Sequence, residues 1–105
     1  MIKIGNYNFD GPWSLSNTNL IDRAAVYAIL CSNGNGNYDV VYIGETGQAG
    51  TRLSNHERAT CWSRNCGSSL YVAVFWTPSE RYTADDRRKI EKELRDQYNP
   101  PCNRQ

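Results

Sequence analysis

What this 105-residue chain lacks narrows its class. No apolar run approaches the eighteen or so residues that would span a bilayer, so a membrane helix is excluded. The opening Met1-Ile2-Lys3-Ile4 has none of the long apolar stretch of a signal peptide, and the expected location is cytoplasmic, with no membrane partner. Only one histidine is present, His56, so little is available to complete a zinc site. The four cysteines do not make up for it, because Cys61 and Cys66 are separated by four residues rather than the two of a zinc knuckle. In a reducing compartment a Cys61–Cys66 disulfide is equally disfavoured, and four reduced, mostly buried thiols are expected at Cys31, Cys61, Cys66 and Cys102.

Charge of one sign is also scarce. Twelve Lys and Arg against eleven Asp and Glu leave a net charge of +1, where a dedicated duplex-binding protein carries a basic excess. Nine of the twelve cations are Arg, which suits bidentate phosphate contacts better than a diffuse attractive field. If nucleic acid is the partner, unaided binding should be weak and salt-sensitive.

What is present reads as one α+β, mixed α/β domain. Residues 1–23 form a leader of short apolar stretches and turn formers, expected to pack on the domain of residues 24–105. Ile2 and Ile4 are placed in a short edge strand and Trp13 serves as an anchor. Residues 24–31, AAVYAILC, are continuously apolar and read as a buried strand. The Asn- and Gly-rich turn of residues 32–37 leads into a second strand at 38–44, so a β-hairpin is expected. Gly47 and Gly50 precede a helix over residues 51–61, with Thr51 as N-cap and Arg52 and His56 at i and i+4 on one face. Residues 70–76 are β-branched and aromatic and read as a third strand. The last helix is capped by Thr83, has Asp85 and Asp86 in its first turn, and buries a stripe of Ile90, Leu94 and Tyr98. The order is β-β-α-β-α, a three-stranded antiparallel sheet flanked by helices.

Few polar residues in this frame stand out. Tyr27 and Tyr42 lie inside otherwise apolar strands that a hairpin can bring onto one face, though strand tyrosines are more often core residues. Arg52 and His56 together read as a phosphate grip or as a solvated helix face. Glu91 has Arg87 and Arg95 at i−4 and i+4, a spacing that ordinarily means surface ion pairs.

These residues resemble the GIY-YIG nuclease superfamily. Ala25-Val26-Tyr27 stands in place of GIY, and Tyr42-Ile43-Gly44 is YIG itself. Arg52 follows the YIG tyrosine by ten residues, with His56 four further on. Glu91, Leu94, Tyr98, Pro100 and Asn103 match the C-terminal signature. The match runs from about residue 24 to 103, and it departs in two places: Ala25 replaces a glycine, and the hairpin loop is longer than in compact members.

The resemblance implies an endonuclease that hydrolyses phosphodiester bonds, with nucleic acid, most of all DNA, as partner. Glu91 would hold one divalent cation, Mg²⁺ or Mn²⁺. Arg52 would grip the scissile phosphate, Tyr27 would act as base and Tyr42 would orient water or phosphate. His56 would be the base itself or a relay, and Gly44 and Asn103 would support the site. A free phenol is about a thousandth ionised at neutral pH, so Tyr27 needs help to act as a base. One site per chain implies nicking, with a homodimer for double-strand cuts. The competing readings are a non-enzymatic nucleic-acid-binding or interaction module on the same fold, and a thiol or zinc protein built on Cys61 and Cys66.

Overall fold

The apolar run at the start of the hairpin becomes the centre of the sheet. In the computed structural model, which describes residues 1–54 and 56–103, five strands form: β1 (Ile2–Ile4), β2 (Tyr7–Ser14), β3 (Ala25–Ser32), β4 (Tyr38–Thr46) and β5 (Leu70–Trp76). Their order is β1-β2-β5-β3-β4, with every neighbouring pair antiparallel. β3 has no polar face because both of its faces are covered. Tyr27, Ile29 and Cys31 enter one core cluster with Val72, Val74 and Trp62. Val26, Ala28 and Leu30 enter a second with Phe9, Ile43, Ile90 and Leu94.

Three strands are too few: the sheet has five. Residues 2–14 supply β1 and β2, and β2 pairs with β5 through Asp10↔Val74, Trp13↔Val72 and Ser14↔Tyr71. Asp10-Gly11-Pro12 reads as a turn, yet it lies within β2 where the register shifts between Asp10 and Trp13. Proline is tolerated in a sheet at such an irregularity. Phe9, fully buried, anchors this segment to the core; Trp13, expected in that role, is 37% exposed. The turn between β3 and β4 has positive φ at Gly34, Asn35 and Gly36, closed by the Asn33 N–H on the Asn37 carbonyl at 3.0 Å.

The single helix expected over residues 51–61 is two short helices, α1 (Ala49–Ser54) and α2 (Ala59–Arg64); residue 55, part of that expectation, lies outside the described residues. Arg52 is therefore on α1, while His56 is in the link before α2, and the two do not share a helix face. Thr51 is inside α1 and caps nothing. Its backbone N–H and hydroxyl both donate to the Asp22 carboxylate, each at 2.9 Å, so the loop before β3 closes this helix start.

The last helix, α3 (Ala84–Tyr98), starts with a reciprocal capping box. The Asp86 N–H donates to the Thr83 hydroxyl at 3.1 Å and the Thr83 N–H to the Asp86 carboxylate at 2.8 Å. Its stripe is Ile90 and Leu94 only. Tyr98 is 38% exposed, its hydroxyl accepting from the Gly5 N–H at 2.8 Å. Arg87 turns from Glu91 to Glu45 on β4, at 3.0 Å.

The cysteines are not free thiols. Cys31 is bonded to Cys66, tying the end of β3 to the loop after α2. Cys61 is bonded to Cys102, tying α2 to the C-terminal 3₁₀ turn of Pro101–Asn103. The neighbouring pair Cys61 and Cys66 is shared between two bridges, because α2 carries Cys61 toward the C-terminal turn and the following loop returns Cys66 to β3. Each bridge closes a span of 35 or 41 residues of sequence, and such a link removes about 2–4 kcal/mol of unfolded-chain freedom. Reduction with a phosphine should therefore lower the unfolding free energy by about that amount per bridge in denaturant titrations. Native protein in which four thiols react with a chromogenic disulfide reagent before any reductant is added would overturn the pairing.

Candidate active site

The β3–β4 register sets the first two phenols. Tyr27 stands opposite Gly44, and Ile29 opposite Tyr42. Beyond that pair the register slips, so that Leu30 faces Val40 and Val41 is the extra residue. The bulge lets Val41 and the next residue, Tyr42, both pack with the Tyr27 cluster, which regular alternation would forbid. Gly44 has a steric reason to be glycine: a Cβ there would overlap the Tyr27 ring and hydroxyl. Tyr27 thus lies across the Gly44 backbone, its ring centre 6.1 Å from that of Tyr42.

His56 and Trp62 complete an aromatic nest. The His56 ring is 4.5 Å from Trp62, 5.1 Å from Tyr42 and 5.9 Å from Tyr27, centre to centre. Trp62, 2% exposed, packs here and has no surface available for reading bases. His56 Nε2 is 2.7 Å from the Tyr27 hydroxyl, and its Nδ1 accepts the Arg58 backbone N–H at 3.0 Å. That second bond assigns the tautomer: with Nδ1 accepting, the neutral ring carries its proton on Nε2 and donates it to Tyr27. Burial, reinforced by the Arg52 charge, pushes the His56 pKa down to about 4, so the ring is neutral near pH 7. Burial raises the Tyr27 pKa well above that of a free phenol, with Tyr42 next among the causes. Burial also raises the Tyr42 pKa, with the Glu91 charge next among the causes, while the Arg52 and Arg58 charges ease its ionisation.

Two charges act on this nest in opposite senses. Arg52 on α1 favours ionisation of both phenols, and Glu91 on α3 opposes it for both. Of the five residues singled out as catalytic, Tyr27, Tyr42 and His56 pack together, and the charges of Arg52 and Glu91 both reach the two phenols. Arg52 is held by Glu57 at 2.9 Å in an exposed ion pair. The Glu91 side chain is 22% exposed, and Arg95 at 3.7 Å is too far for a direct hydrogen bond. Burial raises its pKa, and the Arg95 charge works the other way. Among the described residues, no three His, Cys, Asp or Glu side chains are grouped to hold a metal ion, and Glu45 is the acid whose charge reaches Glu91. Asn103 stands outside the nest. Its amide accepts from the Ile43 N–H and donates to the Ile43 carbonyl, both at 2.8 Å, closing the free edge of β4.

No family model and no curated protein matches this chain. A solved structure does: the GIY-YIG N-terminal endonuclease domain of UvrC from Thermotoga maritima, a point mutant bound to its catalytic divalent cation. The likeness covers 81% of this chain and 87% of that one, with a TM-score of 0.56 and 16% sequence identity. The chain has the GIY-YIG fold. At that identity the shared property is the fold, and the chemistry rests on the side chains.

Sequence reasoning missed Arg58 and Glu57 as neighbours of the site. Both sit in the link that breaks the expected helix, where no periodicity marks them.

The GIY-YIG sheet makes two tests available. Gly44→Ala should destabilise the fold by about 1–3 kcal/mol, because the added methyl must displace a ring in a packed core; an unchanged melting temperature would mean that Tyr27 does not cross Gly44. His56 binds a proton near pH 6.5 when unfolded and only near about 4 when folded, so its share of stability is complete above about pH 6.5 and is lost as the pH falls toward 4. A pH series of unfolding free energies should flatten in that window in His56→Gln; parallel curves would refute the buried neutral imidazole.

Proposed function

We propose that this chain is a divalent-metal-dependent endonuclease that hydrolyses phosphodiester bonds in nucleic acid, DNA in the first place. The observation that carries the reading is the convergence of two phenols, an imidazole, a guanidinium and a carboxylate from five separate stretches of chain. Phosphodiester hydrolysis needs a proton acceptor for water, a cationic grip on phosphate and a metal-binding acid. A module that only binds backbone has no use for a carboxylate set against such a grip.

Arg52 presents a planar fork for two phosphate oxygens. Its bond to Glu57 is exposed, and pairs of that kind are worth about 0–1 kcal/mol, so exchange for phosphate costs little. Tyr27 is 1% exposed and lies behind Tyr42, which is only partly buried. The resemblance favours Tyr27 as base; its burial supports Tyr42 as the phenol that meets the water, with Tyr27 packed behind it. In this arrangement His56 donates to Tyr27 and fixes it behind Tyr42, while the Arg52 and Arg58 charges favour the ionised form of Tyr42. With both ring nitrogens engaged, His56 holds Tyr27 in place and does not take the proton itself.

The neighbouring structure holds a catalytic divalent cation, and Glu91 is the residue here that would hold one. A half-buried carboxylate outside any cluster of three such ligands suits a hard cation that keeps most of its water shell, as Mg²⁺ or Mn²⁺ does. A divalent cation bound there supplies charge stabilisation to the phosphate and cancels the Glu91 charge that opposes ionisation of both phenols. One site per chain favours nicking, with a homodimer or two encounters for double-strand breaks. The two disulfides support action in an oxidising compartment, in place of the cytoplasmic location expected for free thiols.

Supercoiled plasmid should be nicked in Mg²⁺ or Mn²⁺ and left intact in chelator. Glu91→Ala should abolish cleavage with little change in melting temperature, since Glu91 is off the Ile90–Leu94 stripe. Arg52→Ala and Tyr42→Phe should each slow cleavage on the order of a hundredfold or more. Nicking by Glu91→Ala at the parent rate would refute the metal assignment, and a parent protein inert toward DNA and RNA would leave the binding-module reading in its place.

A further inference from the structure

We infer that Arg58 is a second phosphate-gripping residue, holding the nucleic-acid backbone next to the phosphate taken by Arg52. The inference rests on the nuclease reading above and adds a substrate contact that the GIY, YIG, Arg and Glu motif positions do not include.

Most arginines on the helices around the sheet are already matched with acids. Arg52 has Glu57, Arg87 has Glu45, Arg88 has Asp85, and Arg95 stands by Glu91. The Arg58 guanidinium has no hydrogen-bond or ion-pair partner among the described residues, although its side chain is only partly exposed. The neighbouring acid, Glu57, is held by Arg52, and a half-exposed guanidinium in no ion pair is a cation that a phosphate can take without breaking one.

The position of Arg58 is set from the active site itself. Its backbone N–H donates to His56 Nδ1 at 3.0 Å, so its Cα cannot move independently of the ring that holds Tyr27. It occupies the N-cap position of α2 with φ −94° and ψ 4°, and α2 is fixed by Trp62 against His56 and by the Cys61–Cys102 bridge. Its charge reaches the nest, favouring the ionised form of Tyr42 and the neutral form of His56. Lys3, also in no ion pair, lies on β1, at the opposite edge of the sheet from β4.

This arrangement answers the low net charge. A chain at +1 cannot gather a polyanion with a broad field, so affinity has to come from a few fixed contacts beside the reacting phosphate. Arg52 and Arg58 flank the segment that carries His56. Their division of labour is that Arg52 exchanges Glu57 for the scissile phosphate, while Arg58 binds a neighbouring one and sets the register of the strand.

The test uses the full chain with both disulfides intact. In a Glu91→Gln background, binding of a short fluorescein-labelled duplex DNA is measured against salt concentration, with and without Arg58→Ala. Loss of one phosphate contact should weaken binding about tenfold and reduce the slope of log K against log salt by about one, equally for unrelated DNA sequences. In the Glu91-intact protein, Arg58→Ala should raise KM far more than it lowers kcat, and Arg58→Lys should recover most of the affinity. Lys3→Ala removes the same charge at a distance and should leave the slope unaltered. An unchanged slope and KM in Arg58→Ala, or an equal effect from Lys3→Ala, overturns the inference while the nuclease reading stands. A parent protein that neither binds nor cuts nucleic acid removes that reading, and the inference falls with it.

Discussion

A phenol and an imidazole withdrawn from water must satisfy each other, and Tyr27 and His56 do so at 2.7 Å. Much of the site's geometry follows from that bond. It needs Tyr27 laid across a glycine, because any side chain at position 44 would occupy the ring's place. It also needs the chain between α1 and α2 to leave the helical path, so that His56 can turn inward while Arg58 N–H closes its other nitrogen. The ring is thereby left with no free nitrogen and a strongly depressed basicity, a poor proton acceptor but a rigid donor.

Around this bond the frame is closed from two directions. The Cys61–Cys102 bridge joins α2 to the C-terminal turn, and the next residue in that turn, Asn103, hydrogen-bonds both backbone groups of Ile43 on the free edge of β4. Tyr42 is adjacent to Ile43, and Trp62 is adjacent to Cys61. The loop of connections thus runs from the ring that packs on His56, through sulfur and amide, back to the strand that carries the outer phenol. An edge strand with unpaired backbone groups is prone to slip or to recruit another chain, and the Asn103 amide removes that freedom at the residue beside Tyr42.

Electrostatically the site works by local contrast. The helix arginines are largely paired with nearby acids, in a chain whose net charge is +1. Inside the nest, Arg52 and Glu91 pull the phenols in opposite directions, and burial weighs against ionisation of either. A cation at the carboxylate and a phosphate at the guanidinium would each shift that balance, coupling the phenols to substrate and metal.

Much of this was legible in the residues alone. The apolar run of β3, the β-branched run of β5 and the cap and punctuation of α3 are local signals, and they appear where local signals place them. The spacing of Tyr27, Tyr42, Arg52, His56 and Glu91 was legible too, because motif spacing is a property of the chain. Three things were decided only by tertiary structure. β2 is a strand although its residues spell a turn, since β5 offers an edge that sequence cannot display. The helix expected over residues 51–61 is divided where His56 meets Tyr27, a contact between residues 29 positions apart. The cysteines pair across 35 and 41 residues, and no local spacing encodes which sulfurs will meet once α2 has packed. Local sequence determines what each segment prefers to be, whereas desolvation, edge pairing and cross-linking depend on which distant partners the fold brings within reach.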